Sequence, residues 1–158
     1  MAVNYLVNGD SVRVLGDFFM LTLVYNRGGA MGTNIGSSTY YLVISLILIP
    51  VLIYYINHYR AEFRLSWPLA LIAGGAAGNI IDRLRLGQVI DFLDVDFFDI
   101  NLLGFRITRW WTFNVADAAI SCGIVILLLV TFFGHKSSAA ENNNDTDPEK
   151  SSPQPLPE

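Results

Sequence analysis

Gly74-Gly75-Ala76-Ala77-Gly78-Asn79-Ile80-Ile81-Asp82-Arg83 closes one long apolar run, and Phe113-Asn114-Val115-Ala116-Asp117 opens another. The first run covers Leu65 to Ile81 and the second Ala118 to Gly134, with Val89-Ile90-Asp91-Phe92 in the loop between them. Runs of this length and composition read as membrane-crossing helices. Asp82, Asp91 and Asp117 therefore fall at the ends of two hydrophobic segments or between them. An ionisable group at the edge of a span is costly, and is a functional candidate by default.

The whole composition agrees with a small polytopic membrane protein. Of 158 residues, 53% are hydrophobic and only 15% are charged, a balance too apolar for an ordinary soluble domain. No basic patch suits nucleic acid. The single cysteine, Cys122, lies inside an apolar run, which supports neither a disulfide framework nor a thiolate metal site. His58 and His135 stand alone, without ligand spacing, and are expected at membrane interfaces.

Working outward, Thr39 to Asn57 reads as a further span. No Asp, Glu, Lys or Arg interrupts the chain between Arg27 and Arg60, enough to cross about 30 Å of hydrocarbon. Pro50 is expected to kink it, and Tyr54, Tyr55 and Tyr59 suit an interfacial belt. Leu65 to Ile81 is shorter, about 17 residues and near the lower limit for a span. Its Gly74 and Gly78 form a GxxxG pattern, expected to let helices pack closely. The spans are placed at 39–57, 65–82 and 115–134.

Two extramembrane stretches read differently. Val12 to Tyr25 is strand-like, rich in β-branched and aromatic residues, with a turn expected at Gly16-Asp17. Asn26-Arg27-Gly28-Gly29-Ala30-Met31-Gly32 follows, a Gly-rich segment that reads as a plain loop or as backbone approaching a ligand. In the 84–112 loop, Asp94, Asp96 and Asp99 alternate with apolar residues. That spacing suggests a strand with a wet face, its aspartates solvated rather than gathered around calcium. Trp110 and Trp111 mark re-entry at an interface. No n-region and apolar core of a signal peptide is visible. After Lys136 the composition turns to Ser, Asn, Asp, Glu and Pro, so residues 137–158 are expected to be a disordered tail attached to a membrane domain of residues 1–136.

Arg60, Arg64 and Lys136 place their loops on the cytoplasmic side. Three spans then leave the C-terminus in the cytoplasm and bring Asp82, Asp91 and Asp117 to the outer face. Crowded carboxylates in a partly apolar site cannot all ionise. A pair sharing one proton has the acid and the base needed to activate water and protonate a leaving amine. No Ser/His/Asp set, Cys/His pair or P-loop competes with it.

Taken in this order and spacing, the three motifs resemble those of bacterial lipoprotein signal peptidases (signal peptidase II), from about Leu6 to Phe133. Asn26 to Gly32 is similar to that family's Asn-Thr-Gly-Ala-Ala-Phe-Gly segment, altered at Arg27, Gly29 and Met31. The resemblance implies a polytopic α-helical protein of the bacterial inner membrane. Members normally have four transmembrane helices; the match here begins at the outer loop after the first, so three are expected, with a small β-structure on the outer face. It implies an aspartic endopeptidase that cuts prolipoproteins on the N-terminal side of a diacylglyceryl-modified cysteine, without metal or cofactor. Asp91 and Asp117 match the catalytic dyad; Asn26, Gly28, Asn79, Asp82, Arg83 and Asn114 match supporting positions. The implied partners are prolipoproteins and membrane lipids, the enzyme acting as a monomer. Arg83 would pair with a carboxylate or hold a substrate carbonyl; Asn79 and Asn114 would orient the dyad or stabilise an oxyanion. Two other readings stand beside this one: a transporter or channel subunit relaying protons through membrane aspartates, and a non-catalytic scaffold binding the same precursors.

Overall fold

The structure, a computed structural model, describes residues 11–29, 36–96, 100–102, 105–107 and 110–142. Asp99, Ala30 to Gly32 and the tail beyond Asn142 lie outside the described residues. Five strands and three helices follow one another: β1 (Ser11–Leu15), β2 (Phe19–Asn26), α1 (Ser38–His58), α2 (Phe63–Leu86), β3 (Val89–Val95), β4 (Ile100–Leu102), β5 (Phe105–Ile107) and α3 (Val115–Asn142).

The strands fall where β-branched and aromatic residues concentrate. β1 and β2 form a hairpin around Gly16, whose φ of 56° is the left-handed conformation a tight turn requires. β2 then pairs antiparallel with β3, giving the order β1-β2-β3, and β4 pairs with β5 in a separate two-stranded ribbon. The β-structure expected from 12–25 and part of 89–109 is therefore present, as one three-stranded sheet and one separate ribbon.

α2 is the central helix. Leu69 and Ile72 on it pack with Leu52 of α1, and Ile120 and Leu127 of α3 join the same cluster. The outward faces of α1 and α3 remain apolar and exposed, as at Ile47, Tyr54, Leu128 and Phe132. α1, and α3 from Val115 to Phe133, are long and apolar enough to cross a membrane. α2 carries Arg64 in its first turn and Asp82, Arg83 and Arg85 in its last. It ends at Gly87, in the left-handed conformation, whose N–H donates to the Arg83 carbonyl (3.0 Å). Asp82 and Arg83 are thus helical residues.

The α2–α3 seam corrects the GxxxG expectation. A Cβ on Gly74 would meet open space, whereas one on Gly75 would collide with the Ala116 carbonyl oxygen and Ile120. Gly78 faces the Ala116 methyl, and from the other side Gly123 abuts the Pro68 carbonyl and Ile72. The close approach runs through Gly75, Gly78 and Gly123. Gly74 points away because one residue along a helix rotates the side chain by about 100°.

α3 also runs past Lys136 to Asn142, so the compositional boundary at 136/137 is not a helix end. Lys136-Ser-Ser-Ala-Ala-Glu contains no Gly or Pro to stop a helix already started.

Candidate active site

Asn114 is the N-cap of α3. Its Oδ1 accepts from the Asp117 backbone N–H (2.9 Å), and Asp117 Oδ2 accepts in return from the Asn114 N–H (3.4 Å). The Ala118 N–H to Asn114 carbonyl bond (3.1 Å) is the first of the helix. This reciprocal pair is a capping box with Asn and Asp in place of Ser and Glu. It holds Asp117 in the first turn of α3. The Asn-x-x-Asp spacing carried this signal in the sequence, and the sequence reading did not use it.

Asp91 reaches the same place from β3, and is 1% exposed. Asn114 Nδ2 donates to its Oδ1 (2.8 Å), and Asn26 Nδ2, from the end of β2, donates to its Oδ2 (2.9 Å). Asn114 Nδ2 also donates to Asn79 Oδ1 (3.1 Å), and Asn79 Nδ2 donates to Asp117 Oδ1 (2.8 Å). A continuous chain therefore runs Asp91–Asn114–Asn79–Asp117, joining strand, helix cap, central helix and α3. Burial pushes the Asp91 carboxyl above the ordinary carboxylate range; the nearby Asp117 pushes it the same way, while the Asn26 and Asn114 bonds and Arg83 pull it down.

Each remaining residue expected at the site has a position. Gly28 is buried in an Asx turn, its N–H donating to Asn26 Oδ1 (2.8 Å). Arg83 is 8% exposed; its Nη2 donates to the Gly28 carbonyl (2.9 Å) and its guanidinium lies over the Tyr41 ring, 5.6 Å from the centroid. Its hydrogen bonds among the described residues go to backbone carbonyls, of Gly28 and, at 3.5 Å, of Asn79. Arg83 thus pins the turn that aims Asn26 at Asp91. Asp82 stands apart from the carboxylate chain: its Oδ2 accepts from the Ile90 N–H (3.3 Å), tying the start of β3 to the end of α2. Beside Asp117 a pocket of ≈ 180 Å³ opens between the helices, lined by Tyr41, Ser45, Leu48, Asn79 and Arg83 among others.

The sequence reading missed Asp94. It was expected on a wet face and is 5% exposed, accepting a hydrogen bond from Thr22 Oγ1 (2.7 Å). The cause is a bulge. The Phe92 and Leu93 N–H groups both donate to the Phe113 carbonyl (3.1 and 2.8 Å), so two residues of β3 oppose one across the ladder. The pairing of β2 with β3 slips at the same point: Leu21 pairs with Leu93 and Val24 with Asp91, so Thr22 and Leu23 of β2 face Phe92 alone. These irregularities break the alternation, and Asp91 and Asp94, three apart, are both buried.

The chain matches the family model described as signal peptidase (SPase) II over residues 1–133. It is 39% identical over 127 residues to the lipoprotein signal peptidase of Caldanaerobacter subterraneus subsp. tengcongensis, covering 80% of each chain. To that of Moorella thermoacetica it is 43% identical over 122 residues, 75% of this chain and 71% of the relative. Two solved bacterial membrane enzymes share the fold. One, at TM-score 0.68 and 28% identity, spans 82% of this chain and 79% of its own. The other, at TM-score 0.69 and 26% identity, spans 97% and 82%.

Proposed function

The chain belongs to the signal peptidase II family, and on that premise we propose that Asp91 and Asp117 are its catalytic pair. As a member it is an aspartic peptidase that removes signal peptides from prolipoproteins. The observation that carries the site assignment is the linked chain Asp91–Asn114–Asn79–Asp117. Two carboxylates from distant segments are oriented by shared amides, in a setting that holds a proton on one of them.

In the proposed reaction the pair shares one proton and a water lies between the carboxyl groups. Burial favours the proton on Asp91, which polarises the scissile carbonyl. Asp117 takes a proton from the water as the water attacks, and gives it to the departing amine as the tetrahedral intermediate collapses. Both Nδ2 hydrogens of Asn26 and both of Asn114 are engaged, so these amides orient carboxylates. Asn79 gives one to Asp117 and, among the described residues, has another to give. Asn79 is thus the amide suited to the developing oxyanion.

The cut is proposed on the N-terminal side of a diacylglyceryl-modified cysteine. Such a substrate has to be met at a membrane surface, and the apolar outer faces of α1 and α3 suit a protein embedded there. All three helices are proposed to cross the inner membrane, with the site at the outer face and the C-terminus in the cytoplasm. The test is cleavage of a diacylglyceryl-modified prolipoprotein by membranes carrying each variant. Asp91→Asn and Asp117→Asn each abolish cleavage at unchanged protein level, and the double variant is little worse than either. Near-parental cleavage by either single variant refutes the assignment.

A further inference from the structure

Arg83 is charged and buried, yet its hydrogen-bonded partners are neutral. Nη2 and Nη1 donate to the Gly28 and Asn79 carbonyls, and Nε is buried without a partner among the described residues. A buried charge has to be compensated by its surroundings. The face of the Tyr41 ring lies 5.6 Å from Arg83 Cζ and supplies part of that compensation. An aromatic face is electron-rich, and its pull on a guanidinium grows once water is excluded.

The start of α1 places this ring. Ser37 Oγ accepts from the Tyr40 N–H (3.4 Å), and the Ser37 carbonyl accepts from the Tyr41 N–H (3.3 Å). The apolar cluster that joins α1 to α2 through Leu52, Leu69 and Ile72 lies roughly 16 Å further along α1. Tyr41 therefore ties α1 to α2 at the end where the carboxylates lie. It has other partners, among them the Tyr40 ring at 5.5 Å, and it is the ring face that meets Arg83.

From Arg83 three bonds lead to a carboxylate. Arg83 Nη2 donates to the Gly28 carbonyl (2.9 Å), the Gly28 N–H donates to Asn26 Oδ1 (2.8 Å), and Asn26 Nδ2 donates to Asp91 Oδ2 (2.9 Å). The middle bond decides which end of the Asn26 amide meets Asp91. With the amide oxygen taken by the turn, its nitrogen faces the carboxylate.

We propose that Tyr41 is a positioning residue for the peptidase reaction: its ring face seats Arg83, and Arg83 holds the Gly28 turn that points the Asn26 amide at Asp91. A guanidinium that loses this face is drawn toward water, and the turn it pins loosens with it. Misplacement of a reacting group lowers the rate of the chemical step more than it weakens substrate binding. The inference rests on reading Asp91 as a catalytic carboxylate.

The test uses the full chain in membranes and a diacylglyceryl-modified prolipoprotein. Tyr41→Phe keeps the ring face and gives up the hydroxyl, and its kcat stays within about threefold of the parent. Tyr41→pentafluorophenylalanine has nearly the shape of Phe, but its fluorines drain the electron density of the face. Its kcat falls roughly 5- to 30-fold below that of Tyr41→Phe, with KM within about twofold. Tyr41→Leu, without a ring, falls at least as far. Tyr40→Leu is the control for an aromatic that only anchors the helix end at an interface; Tyr40 is exposed, and the variant loses about threefold or less.

The proposal is overturned if the fluorinated variant matches Tyr41→Phe, if Tyr41→Phe is as slow as Tyr41→Leu, or if Tyr40→Leu is as slow as Tyr41→Leu. It is also overturned if the Tyr41 variants raise KM and leave kcat alone, since the ring would then touch substrate. The two ring variants decide the matter even if Tyr41→Leu fails to accumulate. Asp91→Asn run alongside separates the two ideas. An active Asp91→Asn refutes the catalytic assignment, whereas an inactive Asp91→Asn with equal rates in the two ring variants refutes only the role of Tyr41.

Discussion

Asp91 and Asp117 stand in contrasting local structures. Asp117 is held mainly by neighbours in sequence: Asn114, three residues before it, takes and gives a backbone hydrogen bond at the start of α3, and Asn79 adds one bond from α2. Asp91 is held by residues far along the chain. Asn26 lies 65 residues before it and Asn114 lies 23 after it, and its direction depends on a bulge opposite Phe113. A helix start builds its own carboxylate site from a few consecutive residues. A strand cannot, because its side chains meet partners only across the sheet. One half of the network is local and the other is tertiary, and substitutions should separate them.

Asn114 belongs to both halves, so Asn114→Ala is expected to have the largest effect of the supporting residues. It removes the Asp91 donor, the link to Asn79 and the α3 cap together. The loss in kcat should be about 10³-fold, accompanied by about 1 kcal/mol of stability from the cap. Single-turnover cleavage and thermal unfolding in detergent measure the two parts. A variant with parental kcat would mean that the two carboxylates do not act through this bridge.

Asn79→Ala touches only the helical half directly, and Asn26→Ala only the strand half. Asn79→Ala should cost about 10²-fold in kcat, since it takes away the Asp117 donor and the proposed oxyanion donor. Asn26→Ala should cost less, about 10-fold, but it carries a pH signature. Asp91 is already shifted upward by burial, and the Asn26 bond opposes that shift. Removing the bond raises the pKa further. A rate that needs the Asp91 proton falls as pH rises through that pKa, so the alkaline limb of the cleavage profile moves to higher pH in Asn26→Ala. A downward shift, or the same displacement in Asn79→Ala, would erase the distinction between the halves.

The smallest effects test the frame that brings the halves together. Gly75→Ala forces a methyl against the Ala116 carbonyl one residue before Asp117, and should destabilise by about 1–3 kcal/mol. Gly74→Ala, facing open space, should be neutral or stabilising by up to about 1 kcal/mol. Equal melting temperatures for the two variants would show that α2 and α3 do not meet where the seam puts them.

The two halves also differ in how far they could be read from the chain. Apolar runs of span length announced α1 and α3, because a helix satisfies its own backbone and needs only a suitable run of residues. Strand composition announced β2 and β3, and the ordered motifs around Asn79, Asp91 and Asp117, with the segment from Asn26 to Gly32, contained the carboxylates and amides of the network. Asp94 was misread because alternation was carried through a bulge, and nothing in Phe92-Leu93 marks one. Gly74 was paired with Gly78 by spacing alone, and spacing fixes a helix face without saying which face a neighbour covers.

The residue types, the helices and the family were legible in the sequence, and so was the Asn-x-x-Asp signal of the α3 cap, which was left unread. These follow from interactions within a turn or two of chain, or from motifs whose order is specific. Tertiary structure decided that Arg83 holds the Gly28 carbonyl, that Gly75 carries the seam, that Asp94 is buried, and that Asn114 and Asn79 link the two carboxylates. Each of those depends on partners tens of residues away. Their relative placement is set by packing on α2 and by the irregular pairing of β3 at Phe92 and Leu93, and no local preference encodes either.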